Sequence, residues 1–180
     1  MLCDDCSARQ VEERPLRGIL EVRVSGRLEQ SSGSPGAGSS AAWSVHDLLP
    51  VQRRWFPSIP VGNTPLWEPG RLRAESDMPG LYLKDDTANP TGSLKDRASY
   101  LVAGYARSQG IDRVVLASTG NAGSSMAGVG AAAGLQVRLY LPATAPPAKL
   151  TQARMYGAEL VQVDGSYDEA FLQSRDYTRS

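Results

Sequence analysis

Short apolar strands alternate with helical patterns through the second half of the chain. Three runs have the composition of strands, at Val114–Ala117, Gln136–Leu141 and Leu160–Val163. Helical spacing follows each of them, at 121–134, at 146–156 and from about residue 167. Strands that alternate with helices pair in parallel through right-handed crossovers. The sequence therefore predicts an α/β fold built on a layered parallel sheet.

A strand at Leu81–Lys84 and a helix at Ser93–Gln109 are predicted ahead of this alternation. Gly110 follows the helix where a C-terminal cap belongs. The run Val114–Ala117 is continuously apolar, which is typical of a strand buried on both faces.

The N-terminal part of the chain has a different composition. Residues 1–28 are polar and arginine-rich, with one strand-like run at Ile19–Val24. Residues 29–42 are rich in Gly, Ser, Pro and Ala, which predicts a flexible linker. The segment Trp43–Phe56 has the composition of a short helix ahead of a proline.

Charge and composition exclude several classes of function. Nineteen basic and nineteen acidic residues cancel without a basic block, which argues against nucleic acid or an anionic membrane as partner. No apolar run approaches the ~20 residues that span a bilayer. The first residues lack the order of a secretory signal, and Cys3 and Cys6 have C-x-x-C spacing. Together these features predict a reducing, cytoplasmic setting.

Lys95 follows a Pro-Thr-Gly-Ser turn and lies just inside a predicted helix start. Only a free amine attacks a carbonyl, and both a helix N-terminus and burial favour the free amine. This placement indicates a lysine that reacts with an aldehyde. The alternative is a solvated lysine in the charged patch formed with Asp96 and Arg97.

The loop Ser118–Gly123 connects a predicted strand to a predicted helix. Ligands of parallel sheets bind at the carboxyl ends of strands, and helix N-termini offer free N–H groups to anions. The loop is thus a candidate anion site, or else a tight turn in which the glycines are only conformational. The glycines at 128, 130 and 134 indicate close helix packing rather than a dinucleotide motif.

These two stretches resemble the threonine synthase branch of the pyridoxal-phosphate enzymes of the tryptophan-synthase-β type. The segment Asn89–Arg97 matches the cofactor-lysine signature of that family, with Leu94 where an aromatic residue is commoner. The resemblance covers roughly Ile59 to Tyr167 and includes three further elements, at 60–66, 81–86 and 142–149.

The resemblance implies pyridoxal phosphate as cofactor and Lys95 as the Schiff-base lysine that also moves protons. Asn121 would bond the 3′-oxygen of the cofactor. Together with Ser118, Thr119 and Gly120, it would hold the substrate carboxylate.

The resemblance also implies a domain organisation. Residues 43–180 would be the N-terminal part of the catalytic domain. Residues 1–28 would be a degenerate zinc-ribbon-like head, and two cysteines without partners predict no bound metal.

The implied activity is a lyase reaction that makes threonine and phosphate from O-phosphohomoserine. The partner would be a small amino-acid substrate, and a homo-oligomer is possible. Serine or threonine dehydratase and cysteine-synthase-like β-replacement are alternative activities. A non-catalytic chain that binds the cofactor weakly is a further alternative, because the phosphate loop and the partner of the pyridine nitrogen are expected beyond Ser180.

Overall fold

The computed structural model describes residues 8–9 and 45–178. The chain divides into two compact units, Met1–Pro50 and Val51–Ser180. In the first unit, the described residues form a turn at 8–9 and a 3-10 turn at Val45–Leu48. Apart from the turn at 8–9, the predicted head, linker and Ile19–Val24 strand lie outside the described residues, as do Cys3 and Cys6.

Three parallel strands form the main sheet of the second unit. They are β3 at Arg113–Ala117, β4 at Gln136–Pro142 and β5 at Glu159–Val163. Their order is β3-β4-β5, with Leu116 opposite Leu139 and Leu139 opposite Leu160. This topology confirms the predicted α/β fold with a parallel sheet.

Four helices accompany this sheet: α2 at Lys95–Ser108, α3 at Asn121–Ala132, α4 at Pro147–Met155 and α5 at Tyr167–Tyr177. The alternating side chains of β4 contribute to two separate cores. Leu139 packs with residues of α2, α3 and α4, whereas Tyr140 packs with Ala170 of α5. The sheet is therefore covered on both faces, as a layered α/β fold requires.

The predicted C-terminal cap of α2 is confirmed at Gly110. Its φ of 69° is left-handed, a conformation that glycine adopts without steric cost. The N–H of Gly110 bonds to the carbonyl of Arg107 at 3.1 Å, and that of Ile111 bonds to the carbonyl of Ala106 at 2.9 Å. These two bonds form a Schellman motif, which ends the helix sharply before β3.

Three local predictions differ from the structure. The predicted strand at 81–84 is reduced to β2, Leu83–Lys84, which pairs antiparallel with β1, Leu66–Trp67, outside the main sheet. The strand β3 is half-buried rather than fully buried, because β4 is its only neighbour among the described residues. The predicted helix at 43–56 is replaced by 3-10 turns at Val45–Leu48 and Arg53–Trp55, since a proline interrupts the segment.

The helix α1, Gly70–Ser76, is short and lies between β1 and β2, in a segment for which no helix was predicted. Within residues 8–9 and 45–178, no helix combines the length and the apolar character needed to cross a membrane.

Candidate active site

Lys95 is the first residue of α2, two positions after the predicted helix start. Its backbone N–H donates to the hydroxyl oxygen of Ser93 at 3.3 Å, so Ser93 does satisfy one free donor of the first turn. The Lys95 side chain is exposed, so burial does not add to the effect of the helix N-terminus on this amine in the structure. The buried position in this turn belongs to its neighbour Asp96.

Asp96 is fully buried and holds the turn that leads into α2. The backbone N–H of Thr91 donates to its Oδ2 at 2.7 Å, and the Thr91 hydroxyl donates to its Oδ1. From α4, Nε2 of Gln152 donates to the carbonyl of Thr91 at 3.1 Å. The turn before Lys95 is thereby held by hydrogen bonds at three polar groups of Thr91, namely its N–H, its hydroxyl and its carbonyl.

A second polar cluster joins three of the motifs that the sequence singled out. Arg97 contacts Asp86 through two hydrogen bonds, Nη2 to Oδ1 at 2.7 Å and Nε to Oδ2 at 3.0 Å. Thr64 Oγ1 donates to the same Oδ1 at 2.7 Å. Hydrogen bonds from Arg97 and Thr64, together with the positive charge of Arg97, hold the pKa of Asp86 far below its usual range.

Asn89 connects this cluster to the lysine turn. It is buried, its Oδ1 accepts from the N–H of Gly62 at 2.9 Å, and its Nδ2 donates to the carbonyl of Asp86 at 2.9 Å. Lys84 adds a bond from its ammonium group to the carbonyl of Thr64. The element around Thr64 is thus bound to the lysine turn by side chains, although 33 residues separate Thr64 from Arg97.

We expect the Asp86–Arg97 pair to make stability depend on pH in the acid range. A carboxyl with a depressed pKa in the folded protein contributes stability that is complete above its unfolded pKa of about 3.9 and is lost as pH falls below it. The wild-type urea midpoint should therefore fall more steeply below about pH 4 than that of Asp86→Asn. Equal slopes for the two proteins would contradict this assignment.

The loop Ser118–Gly123 lies at the carboxyl end of β3, as predicted. The N–H of Ser118 extends the sheet by donating to the carbonyl of Tyr140 at 3.1 Å. The Ser118 hydroxyl accepts from the N–H groups of Gly123, at 2.9 Å, and Gly120, at 3.4 Å. Sequence reasoning did not anticipate that this hydroxyl caps the start of α3.

Asn121 is exposed and is the first residue of α3, immediately after Gly120 at the helix cap. Ser125, one turn further on, bonds to Ser99 of α2 through their hydroxyl groups at 2.8 Å, and both serines are buried. Ser99 itself lies one turn after Lys95. The structure therefore places Lys95 and Asn121 at the starts of two helices that are bonded together in their second turns.

A protein-family profile described as "Pyridoxal-phosphate dependent enzyme" matches residues 58–180, more than half of the chain. The chain belongs to this family. The matched range includes Lys95 with its turn and the loop 118–123 with Asn121.

Threonine synthases are among the proteins that are similar in sequence to this chain. This similarity confirms the resemblance seen in the motifs. The threonine synthase of Methanosarcina acetivorans is 38% identical over 136 residues, covering 75% of this chain and 33% of that protein. That of Mycobacterium leprae is 35% identical over 149 residues, covering 82% of this chain and 41% of that protein. This chain thus spans about a third to two fifths of the relatives' length.

Two solved structures of other proteins share the fold over part of this chain. O-ureido-L-serine synthase aligns with a TM-score of 0.58 and 26% identity, covering 66% of this chain and 39% of that chain. Threonine deaminase isoform 2 from Solanum lycopersicum aligns with a TM-score of 0.57 and 24% identity, covering 64% and 32%. The second likeness concerns the fold alone.

The described residues fit the family's cofactor, pyridoxal phosphate, in two respects. The exposed side chain of Lys95 presents a primary amine, the group that condenses with an aldehyde. The start of α3 presents backbone N–H groups at the carboxyl edge of the sheet, where polar ligand atoms bind in parallel α/β folds.

Proposed function

We propose that this chain carries the lysine-bearing part of a threonine synthase-like enzyme, which converts O-phosphohomoserine to threonine and phosphate. The observation that carries the proposal is the placement of Lys95, exposed at the start of α2 behind a turn fixed by Asp96. Threonine synthase relatives at 35–38% identity support the choice of reaction. A cytoplasmic location, an amino-acid substrate and a homo-oligomeric state belong to the same proposal.

In this function Lys95 bonds to the cofactor and moves protons. Its amine would hold the cofactor at the aldehyde carbon and would take and return protons at the substrate carbons. When bound, pyridoxal phosphate supplies an electron sink for negative charge at the substrate α-carbon. Asn121 would donate to the cofactor's 3′-oxygen from the first turn of α3.

The loop before α3 would bind the substrate carboxylate. Thr119 would contribute its hydroxyl group near the positive end of the helix dipole, and the N–H of Gly120 would exchange its 3.4 Å bond to Ser118 for one to the carboxylate. Ser118 would act mainly by shaping the loop, because its oxygen already accepts from Gly123 and Gly120. The same hydroxyl retains its own proton to donate.

A β-replacement enzyme is the second candidate function. It is supported by the structural likeness to O-ureido-L-serine synthase at 26% identity. A serine or threonine dehydratase is a further candidate function, because the motifs leave it open as an alternative. These reactions share the lysine and the loop, so the substrate and not the lysine distinguishes them.

A panel of substrates separates these functions. We expect the complete enzyme, of which this chain would be the lysine-bearing part, to release phosphate and threonine in equal amounts from O-phosphohomoserine when pyridoxal phosphate is present. Formation of 2-oxo acid from serine or threonine would support the dehydratase instead. Replacement of an activated serine by an added nucleophile, without phosphate release from O-phosphohomoserine, would support the β-replacement enzyme and contradict the main proposal.

A further inference from the structure

A fully buried carboxylate lies directly beside the candidate cofactor lysine, and the proposed reaction gives it no role. Asp96 is 0% exposed. Burying a charge is costly unless hydrogen bonds compensate, and Asp96 receives them from both the N–H and the hydroxyl of Thr91. Its position in the first turn of α2 also suits a negative charge, because it faces the positive end of the helix dipole.

Thr91 is held from two further directions. Its carbonyl accepts from Gln152 of α4 at 3.1 Å. Its methyl group lies over Gly128 of α3, where an added Cβ would come within 2.6 Å of Thr91 Cγ2. Thr91 is only 7% exposed. Asp96 is therefore bonded to a residue that is itself packed against two other helices. The bond between Asp96 and Thr91 thus ties the start of α2 to a fixed point in the fold.

We infer that Asp96 is a positioning residue, which acts through Thr91 to set the direction of the Lys95 side chain. Consecutive helical residues point about 100° apart, so anchoring Asp96 in the interior fixes Lys95 on the accessible side. A correctly oriented amine reacts faster, because a bound geometry close to that of attack removes part of the barrier. This inference rests on the proposed function, since it requires Lys95 to be the reacting lysine.

The test measures which lysine reacts, with a second lysine of the same molecule as reference. The protein is mixed briefly with pyridoxal phosphate and then treated with borohydride. The lysine nitrogen bonds to the aldehyde carbon with loss of water, and hydride then adds to the carbon–nitrogen double bond, leaving a stable secondary amine. Peptide mapping gives the ratio of label on Lys95 to label on Lys84, which is also exposed.

We expect wild-type protein to label Lys95 in clear excess over Lys84. In Asp96→Ala the ratio should fall about tenfold, because a misplaced amine loses part of the rate advantage of a geometry close to that of attack. Thr91→Val, which removes only the hydroxyl donor and keeps a methyl over Gly128, should also lower the ratio. Thr91→Ser keeps both donors to Asp96 and should preserve it.

Ser99→Ala is the control for a loss of stability alone. Ser99 lies in the same helix, and the variant loses its buried hydroxyl bond, which joins it to Ser125 and not to Thr91 or Asp96. Its label ratio should equal that of the wild type, even where its melting temperature falls. Circular dichroism checks that each variant is folded, and Thr91→Val replaces Asp96→Ala if the latter is not.

The outcomes separate this inference from the proposed function. Wild-type protein that labels Lys84 as readily as Lys95 would overturn both. Preferential Lys95 label that persists in folded Asp96→Ala or Thr91→Val would overturn the positioning role alone. A ratio lowered equally in Ser99→Ala would also overturn it, since general destabilisation would then explain the effect.

Discussion

In the complete enzyme, replacing Lys95 by alanine is expected to remove turnover and covalent cofactor binding while leaving the fold nearly unchanged. A proton-transferring side chain typically contributes about 10²–10⁴-fold to rate. Loss of the covalent bond adds to this, so activity on O-phosphohomoserine should fall by at least about 10³-fold. Because the side chain is exposed, the free energy of unfolding should change by no more than about 0.5 kcal/mol.

Two further variants, Lys95→Arg and Lys149→Ala, test whether the effect depends on the amine of Lys95. Arginine keeps the positive charge but does not condense with the aldehyde under these conditions, so Lys95→Arg should lose the visible absorbance of the cofactor adduct just as Lys95→Ala does. Lys149→Ala removes a different lysine and should keep that absorbance. An undiminished visible band in Lys95→Ala would refute the assignment of the cofactor lysine.

Local signals in the sequence were sufficient to predict the three strands of the main sheet, the four helices that accompany it and the position of Lys95 at a helix start. The alternation after Val114 is strong because each element is short and has a clear apolar period. Gly110 was predictable for the same reason, since a glycine at the end of a helical pattern is a local feature.

The contacts that fix the site were not predictable, because they join residues remote in sequence. The sequence allowed Asp96 to lie in a solvated charged patch with Lys95 and Arg97, yet Asp96 is buried and bonded to Thr91. Nothing local indicates that Arg97 would pair with Asp86 and Thr64. Such pairings depend on how the loops close over the sheet, and that closure is set by tertiary packing.

Ser118 shows the same limit at shorter range. The motif indicated a hydroxyl available to a carboxylate, whereas the hydroxyl oxygen accepts from two N–H groups of its own loop. A serine hydroxyl can serve either purpose, and only the backbone path of the loop decides which. The predicted ligand role of Ser118 therefore stays a prediction, beside a structural role that is observed.

The glycines at 128, 130 and 134 were predicted to permit close helix packing, and the structure confirms this at Gly128 and Gly130. The prediction is wrong for Gly134, which follows the end of α3 with a left-handed φ of 73° and has no atom within 4 Å of an added Cβ. A methyl group added at Gly130 would lie 2.4 Å from Cγ2 of Val137 in the buried strand β4. We therefore expect Gly130→Ala to lower the free energy of unfolding by about 1–3 kcal/mol, the usual cost of overpacking a core. This cost should exceed the gain in helix propensity, which is about 1 kcal/mol for alanine over glycine.

A double-mutant cycle tests whether this contact is the cause. Val137→Ala removes the methyl group that an alanine at 130 would meet, so the double variant should be more stable than the sum of the two single effects predicts. Gly70→Ala is the matched control, because no atom lies within 4 Å of a Cβ added there. Urea denaturation of the four proteins of the cycle and the control provides the measurement. Strictly additive losses, or an equal loss in Gly70→Ala, would show that close packing of α3 on β4 does not require the glycine.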